Sequence, residues 1–362
     1  MNKKLIALAV AGAMAGPAIA AAADVEVYGK ARVSIGFTGN DNETDDVSDS
    51  ETTITSHSSR FGIKGSEDLG NGLTAVYQIE SKVNLDDGGG TLAGRDSFVG
   101  LAGGFGTVLL GRHDTPYKLA TKKADILGDT YADIDGSALN GVHNDRVDNV
   151  LAYISPDMNG FTFIGAYVTD VGVANNDDLD GTDPEDHQSA ISLAGMGKIG
   201  PVGVSLAYQS IDNAAGLIGG DAEESADAIK LGLGYDINDM ASVNFVYEMT
   251  EADQWEQDNI ALSGSFNISD TTAIKAIYGL RGEQTTPAGG DDIDDSEGSF
   301  IALGVTTKLS KNVEAYALYT AVDNDKNAGD GGAELTDGPV AAGDEPAADV
   351  FAFGLNISFS SK

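Results

Sequence analysis

The sequence has no cysteine in its 362 residues. A chain of this length without disulfides is held by packing and backbone hydrogen bonds alone, which excludes a stapled secreted scaffold. Bases are scarce: 21 Lys and Arg stand against 57 Asp and Glu, a formal charge of −36. Such a chain repels phosphate, so nucleic acid is excluded as a partner. Long hydrophobic runs are missing as well. Past the first two dozen residues no stretch of about 18 apolar residues occurs, so no transmembrane helix is available. A membrane location would then require a closed β-barrel, the other structure that satisfies every backbone group in lipid. The acidity does not signal disorder, because Val, Ile, Leu, Phe and Tyr are plentiful and regularly spaced.

The N-terminus reads as a secretory leader. Asn2-Lys3-Lys4 is a basic stub, an apolar run extends from Leu5 to Ala15, and small residues follow through Ala18-Ile19-Ala20 and Ala21-Ala22-Ala23. The alternative, a membrane anchor, is disfavoured because the run is short and alanine-rich. Cleavage after Ala20 and after Ala23 fit equally. The expected division is therefore a leader over 1–23 and an exported barrel over 24–362. Loss of Lys3 and Lys4 takes the formal charge from −36 to −38.

What the chain has in abundance is alternation with period two. The first segment sets Val25, Val27, Ala31, Val33, Ile35 and Phe37 against Glu26, Tyr28, Lys30, Arg32 and Ser34. The last sets Phe351, Phe353, Leu355, Ile357 and Phe359 against Ala352, Gly354, Asn356 and Ser358. Similar stretches recur between them, for example Ile229-Leu231-Leu233-Tyr235 and Val243-Phe245-Tyr247-Met249. Apolar residues at i, i+2 and i+4 predict half-buried strands. Helical periodicity competes only in Thr115–Leu127.

The connections alternate in kind. Seven are tight, at Glu67–Gly72, Gly103-Gly104, Pro156–Gly160, Gly197–Gly200, Asn238-Asp239, Ser269-Asp270 and Ser310–Asn312. Eight are generally longer and very acidic, at roughly 39–53, 85–93, 113–145, 171–186, 212–225, 251–256, 282–298 and 322–348. Fifteen connections imply sixteen strands, and short turns on one side with long loops on the other is the asymmetry of outer-membrane barrels. A soluble β-sandwich also alternates, but usually has seven to nine strands per domain. The expected fold is all-β: a sixteen-stranded antiparallel transmembrane barrel.

Beyond the leader remain 19 Lys and Arg. Twelve fall opposite the apolar stripe: Lys30, Arg32, Arg60, Lys64, Lys82, Arg95, Arg112, Arg146, Lys230, Lys275, Arg281 and Lys308. None falls on it. In a membrane barrel that face is the lumen, and so many bases there require water. The third long loop stands apart. It is the longest, and it carries Lys118, Lys122 and Lys123 with Asp114, Asp125, Asp129, Asp133, Asp135 and Asp145. Loops of this length are usually functional.

Other chemistry finds little support. His57, His113, His143 and His187 lie near strand ends or in loops, without the spacing of a zinc site. For a Ser–His hydrolase only His113 and His143 are candidates. Gly103-Gly104-Phe105-Gly106 sits at a strand–strand turn, so it is no nucleotide loop. Asp323, Asp325, Asn327 and Glu334 place oxygens at positions 1, 3, 5 and 12 of a calcium-like loop, but Ala328 stands where glycine is required, and a solvated acidic loop is the simpler reading. Neither an enzyme nor a cofactor is expected.

Ser59-Arg60-Phe61-Gly62-Ile63-Lys64-Gly65-Ser66-Glu67-Asp68-Leu69-Gly70-Asn71-Gly72-Leu73, then Gly104-Phe105-Gly106-Thr107-Val108 with Leu110-Gly111-Arg112, resemble the general diffusion porins of Gram-negative bacteria, most nearly the neisserial type. Val27-Tyr28-Gly29-Lys30, Arg146–Tyr153 and the aromatic last strand fit the same pattern. The resemblance covers the whole exported chain, with the loops least similar. It implies a homotrimer of sixteen-stranded barrels in the outer membrane, among lipid and lipopolysaccharide, each with its own pore for ions and small hydrophilic solutes. It implies that the third loop folds inward, with Arg60, Arg95 and Arg146 on the wall facing carboxylates such as Glu80 and Asp114. Lys30, Arg32, Lys64 and Arg112 would line the pore, and Asp125, Asp129 and Asp133 would belong to the loop. Such porins usually end in an aromatic residue, whereas here Ser360-Ser361-Lys362 follow Phe359. Two alternatives stay open: a porin specific for an anion or a sugar, and a plugged barrel serving as adhesin or anchor.

Overall fold

The computed structural model describes residues 24–41, 49–169, 188–212, 225–252, 255–285, 296–325, 335 and 347–362. The expected leader, and His187, lie outside them. The described residues form sixteen antiparallel strands: β1 (Asp24–Asp41), β2 (Asp49–Ser56, resuming at Arg60–Gly70), β3 (Leu73–Val83), β4 (Gly90–Thr91, resuming at Ser97–Gly103), β5 (Gly106–Asp114), β6 (Arg146–Ile154), β7 (Phe161–Val168) and β8 (Ala190–Ile199). The series continues with β9 (Val202–Ile211), β10 (Ala226–Asp236), β11 (Ala241–Ala252), β12 (Trp255–Asn267), β13 (Thr272–Arg281), β14 (Gly298–Lys308), β15 (Val313–Asn324) and β16 (Ala347–Ser360). Each strand pairs with the next, and β16 pairs back onto β1 from Tyr28↔Ser360 to Asp41↔Ala347. The sheet closes, so no edge is left to face lipid.

Two irregularities steer side chains. Between the halves of β2, His57, Ser58 and Ser59 oppose only Ala31 and Arg32 of β1, making a bulge in which Ser58 has φ 49°. Between Gly111 and His113 of β5 the register against β6 shifts, β6 carrying one extra residue, and Gly111 has a φ of 145° that a side chain would strain. That shift matters for function: Leu109 and Asp114, five positions apart, would otherwise face opposite sides. Both are buried inside.

The alternation seen in the sequence holds in space. Ile35, Phe37, Leu110, Leu206, Leu262, Ile301, Phe351 and Phe353 are exposed on the outer surface, while Arg32, Ser34, Gln78, Glu80, Lys230 and Glu248 are buried within. Pairing runs further than the expected loop limits. β1 reaches Asp41, β2 starts at Asp49, and β11 and β12 pair up to Ala252↔Trp255. Backbone pairing needs no apolar side chain, so hairpins continue past the point where the apolar stripe stops. The first tight turn is shorter than expected. Asn71 and Gly72 alone join β2 to β3, both with positive φ as a two-residue hairpin requires.

Ser360 belongs to the last strand, and Ser361 pairs with Val27 of β1, donating its N–H to the Val27 carbonyl at 2.8 Å. The Phe359 ring lies over Gly29, its register partner, leaving no room there for a Cβ. Phe359 is therefore expected to help close the barrel. Phe359→Ala should lower the yield of folded protein in cells, read by heat-modifiable gel mobility. An unchanged yield would mean that Ser360–Lys362 carry the closing contact instead.

Candidate functional site

The segment between β5 and β6, residues 115–145, lies against the inward-facing side chains of the wall. It opens with a short helix α1 (Pro116–Thr121): Thr115 caps it by accepting the Lys118 N–H at 3.2 Å, and Pro116 needs no N–H partner in the first turn. The helical pattern read over Thr115–Leu127 is thus realised only in its first half; beyond it the carbonyls of Ala124 and Ile126 serve the wall, accepting from Ser263 Oγ (2.7 Å) and Lys275 Nζ (2.7 Å).

An apolar seat receives the segment. Leu127, Tyr131, Ile134 and Leu139 pack with Val246, Ile277, Phe300, Leu318 and Val350, inward-facing residues of β11, β13, β14, β15 and β16. Gly36 of β1 makes room for Tyr131: a Cβ there would stand 2.8 Å from its hydroxyl oxygen. That hydroxyl also bonds Thr55 Oγ1 at 2.5 Å, and its ring meets buried His57 edge-on at 4.5 Å. His57 in turn bonds Ser34 at 2.7 Å.

Three charged groups stand around the remaining lumen. In the first, Asp129 of the loop faces Arg60 (3.1 Å), Lys30 (3.5 Å) and Arg32 (3.6 Å), while Arg32 also donates to the carbonyls of Gly128 and Asp129. Burial alone would raise the Asp129 carboxyl, but Arg60, Arg32 and Lys30 overcome it and hold it far below the usual range. In the second, Arg95 donates to Glu80 at 2.7 Å and Tyr28 donates to the other oxygen at 2.9 Å. In the third, Arg146 bridges Asp114 and Asp96, each at 2.6 Å, with Lys122 of the loop 3.5 Å from Asp114. Against burial, Arg146 and His113 bring the Asp96 carboxyl down to about 2.

The structure thus brings together Arg60, Arg95, Arg146, Glu80 and Asp114 as paired charges on one side of the barrel. One expectation is corrected. Arg95 is not a strand residue; it lies in the irregular link between the halves of β4, just after Ala93, which has φ 55°. No strand phase applies to it, and its carboxylate partner fixes its direction instead. Arg112 stands apart with Asp148 at 2.8 Å, and Lys64 with Glu26 at 3.6 Å. Of the calcium-like pattern, Asp323 lies in β15 and the Asp325 N–H bonds the Glu297 carbonyl, while Asn327 and Glu334 lie outside the described residues. Among the described residues no acidic or histidine cluster is arranged for a metal.

Asp125 and Asp133 do not face the arginines. They gather with Asp135 inside the loop, where burial first and the neighbouring carboxylates second push both upward, Asp133 to about 7. Burial draws His143 down to about 4, so it is neutral near pH 7. An acid raised in the folded loop contributes stability below its ordinary pKa of 3.8 and loses it as pH rises through about 7. The loop should therefore loosen progressively as pH rises from about 4 to about 7, seen as rising current fluctuation in single channels. Asp133→Asn should flatten that trend, and a variant with the parent's slope would discard Asp133 as its source.

Sequence reasoning missed Asp96, Tyr117, Tyr131 and the fully buried Glu248. A usable signal was present: Val246, Ile277, Phe300, Leu318 and Val350 are apolar at lumen-facing positions, as a buried seat needs.

Residues 7–327 match the family described as Gram-negative porin. The chain is 35% identical to the major outer membrane protein P.IA of Neisseria meningitidis serogroup C over 177 residues, 45% of this chain and 44% of that protein. The match thus spans less than half the length of that relative. Among solved structures, an anion-selective porin from Comamonas acidovorans superposes with a TM-score of 0.74 at 23% identity, covering 93% of this chain and all of that one. A trimer form of the outer membrane protein OmpT of Vibrio cholerae gives 0.66 at 19% identity, covering 94% and 100%. At these identities the structures speak for the fold.

Proposed function

This chain belongs to the Gram-negative porin family, and from that premise we propose that it forms a water-filled channel in the bacterial outer membrane. Ions and small hydrophilic solutes cross it passively. The observation that carries the reading is a closed barrel whose lumen-facing wall holds Lys30, Arg32, Arg60, Arg95 and Arg146, charges that need water beside an outer surface made for lipid. The third loop narrows the pore, and Arg60, Arg95 and Arg146 with Glu80 and Asp114 line its constriction. Lys30 and Arg32 widen the basic side of that passage. Arg112 and Lys64 line its approaches.

The assembly proposed is a homotrimer surrounded by lipid and lipopolysaccharide. The trimer form of a structural neighbour supports it, as does the continuous apolar outer surface. Family and fold point to a channel rather than an enzyme. The anion-selective neighbour and the three cations around Asp129 favour a second reading, a pore with a preference for anionic solutes. Proteoliposome swelling distinguishes the cases. A general porin admits sugars at rates falling with size, a solute-specific porin admits one class far faster than others of equal size, and a plugged barrel admits none.

A further inference from the structure

One carboxylate on the wall grips both limbs of the third loop. Glu248 of β11 is fully buried. Its Oε1 accepts from the Tyr117 hydroxyl at 3.0 Å and from Asn144 Nδ2 at 2.9 Å. Its Oε2 accepts the Asn140 backbone N–H at 2.6 Å and Asn259 Nδ2 at 3.1 Å. Three of these four donors belong to the loop: Tyr117 on the limb that enters the lumen, Asn140 and Asn144 on the limb that leaves it. Lys230 of β10, also fully buried, stands 3.6 Å from Oε1. Its ammonium donates to Thr121 Oγ1 at 3.4 Å and to Asn144 Oδ1, and lies 4.0 Å from the centre of the Tyr117 ring.

We propose that Glu248 and Lys230 form the latch that holds the third loop in its narrowing position, and that this latch sets the conductance and the steadiness of the open pore. The inference rests on the reading that the loop narrows the lumen. Its reason is specificity. A buried ion pair is often no more stabilising than packed hydrophobic side chains, so stability alone does not explain two buried charges here. Four donors converging on one carboxylate are satisfied in a single loop position, and any displacement leaves buried polar groups unmade. The middle of the loop is held separately, by the partly buried cluster around Asp129 and by Tyr131, whose ring is packed and whose hydroxyl bonds Thr55; none of these contacts joins the entering limb to the leaving one.

The test uses the full-length protein in planar bilayers, with folding checked by heat-modifiable mobility. Lys230→Met combined with Glu248→Leu removes the latch without stranding a charge. The expected result is a folded barrel with raised conductance, several-fold greater open-channel noise, and new protease cleavage between residues 117 and 144. Should that pair not fold, Tyr117→Phe with Asn144→Ala strips donors from the loop while leaving the wall pair intact, and the same changes are expected. Folded variants with the parent's conductance, noise and protease resistance overturn the proposal. Excision of residues 123–138 separates the two ideas. If excision raises conductance and the latch variants do not, the latch is wrong and the narrowing stands. If excision leaves conductance unchanged, the narrowing reading fails, and the latch proposal with it.

Discussion

Replacing Arg60, Arg95 and Arg146 together by glutamine is expected to turn the channel from anion-preferring to cation-preferring. Each arginine is paired, so single charges are a poor guide and the local sum decides. The three lumen groups hold six cations, Lys30, Arg32, Arg60, Arg95, Arg146 and Lys122, against four carboxylates, Asp129, Glu80, Asp114 and Asp96. The balance is 6 − 4 = +2, and the triple variant makes it 3 − 4 = −1. At ~6 Å in a water-like dielectric one charge acts on a passing ion with about 0.7 kcal/mol, roughly threefold in local concentration. Three charges should therefore move the permeability ratio by an order of magnitude before screening. Salt supplies a second signature. Carboxylates of the acidic connections are expected to act from longer range, screened beyond ~8 Å at physiological salt but reaching ~30 Å at 0.01 M. The parent should prefer anions at high salt and drift toward cations as salt falls, whereas the variant prefers cations throughout. Reversal potentials across a gradient measure both, and arginine-to-lysine replacements should restore the parent's sign. A glutamine variant with the parent's reversal potential would remove these arginines from the constriction.

Arg146→Ala alone is expected to cost the folded state about 3–5 kcal/mol, the range for breaking a buried ion pair from one side. Arg146 serves two carboxylates at once, and the Asp114 side chain is almost wholly inaccessible. Without the guanidinium, Asp114 and Asp96 face each other's charge, with Lys122 at 3.5 Å from Asp114 and His113 left to offset it. The pH dependence should change with the loss. A carboxyl brought down to about 2 contributes stability above its ordinary pKa of 3.8, and that contribution disappears as pH falls toward 2. Thermal unfolding in detergent should show the parent losing stability through that window more steeply than the variant. Arg146→Ala with the parent's midpoint at pH 7 would mean that Lys122 and His113 suffice.

The wall of the barrel was legible because its physics is local. Lipid outside and water inside impose a period of two on every strand, so Phe351 to Phe359, or Ile229 to Tyr235, announce their orientation without tertiary information. The bases followed from the same parity, and twelve were placed opposite the stripe. What parity could not reach was any residue displaced by an irregularity. Asp114 faces inward because the register of β5 against β6 shifts after Gly111, and Arg95 because a partner pulls it there from outside a strand. The path of the third loop was hidden for another reason. Its contacts from Thr121 to Lys230, Asn140 to Glu248 and Ala124 to Ser263 span 108 to 139 residues of sequence and arise only once the barrel has closed. Its seat was nonetheless written in the wall, as apolar Phe300 and Leu318 at positions where alternation puts the lumen.

A recording of purified, refolded protein in a planar bilayer tests the central claim most directly. A water-filled pore through a closed sixteen-stranded wall predicts discrete conductance steps, ohmic at low voltage and proportional to bulk salt conductivity. A protein that is strand-rich by circular dichroism and inserted in the bilayer, yet electrically silent, would contradict it.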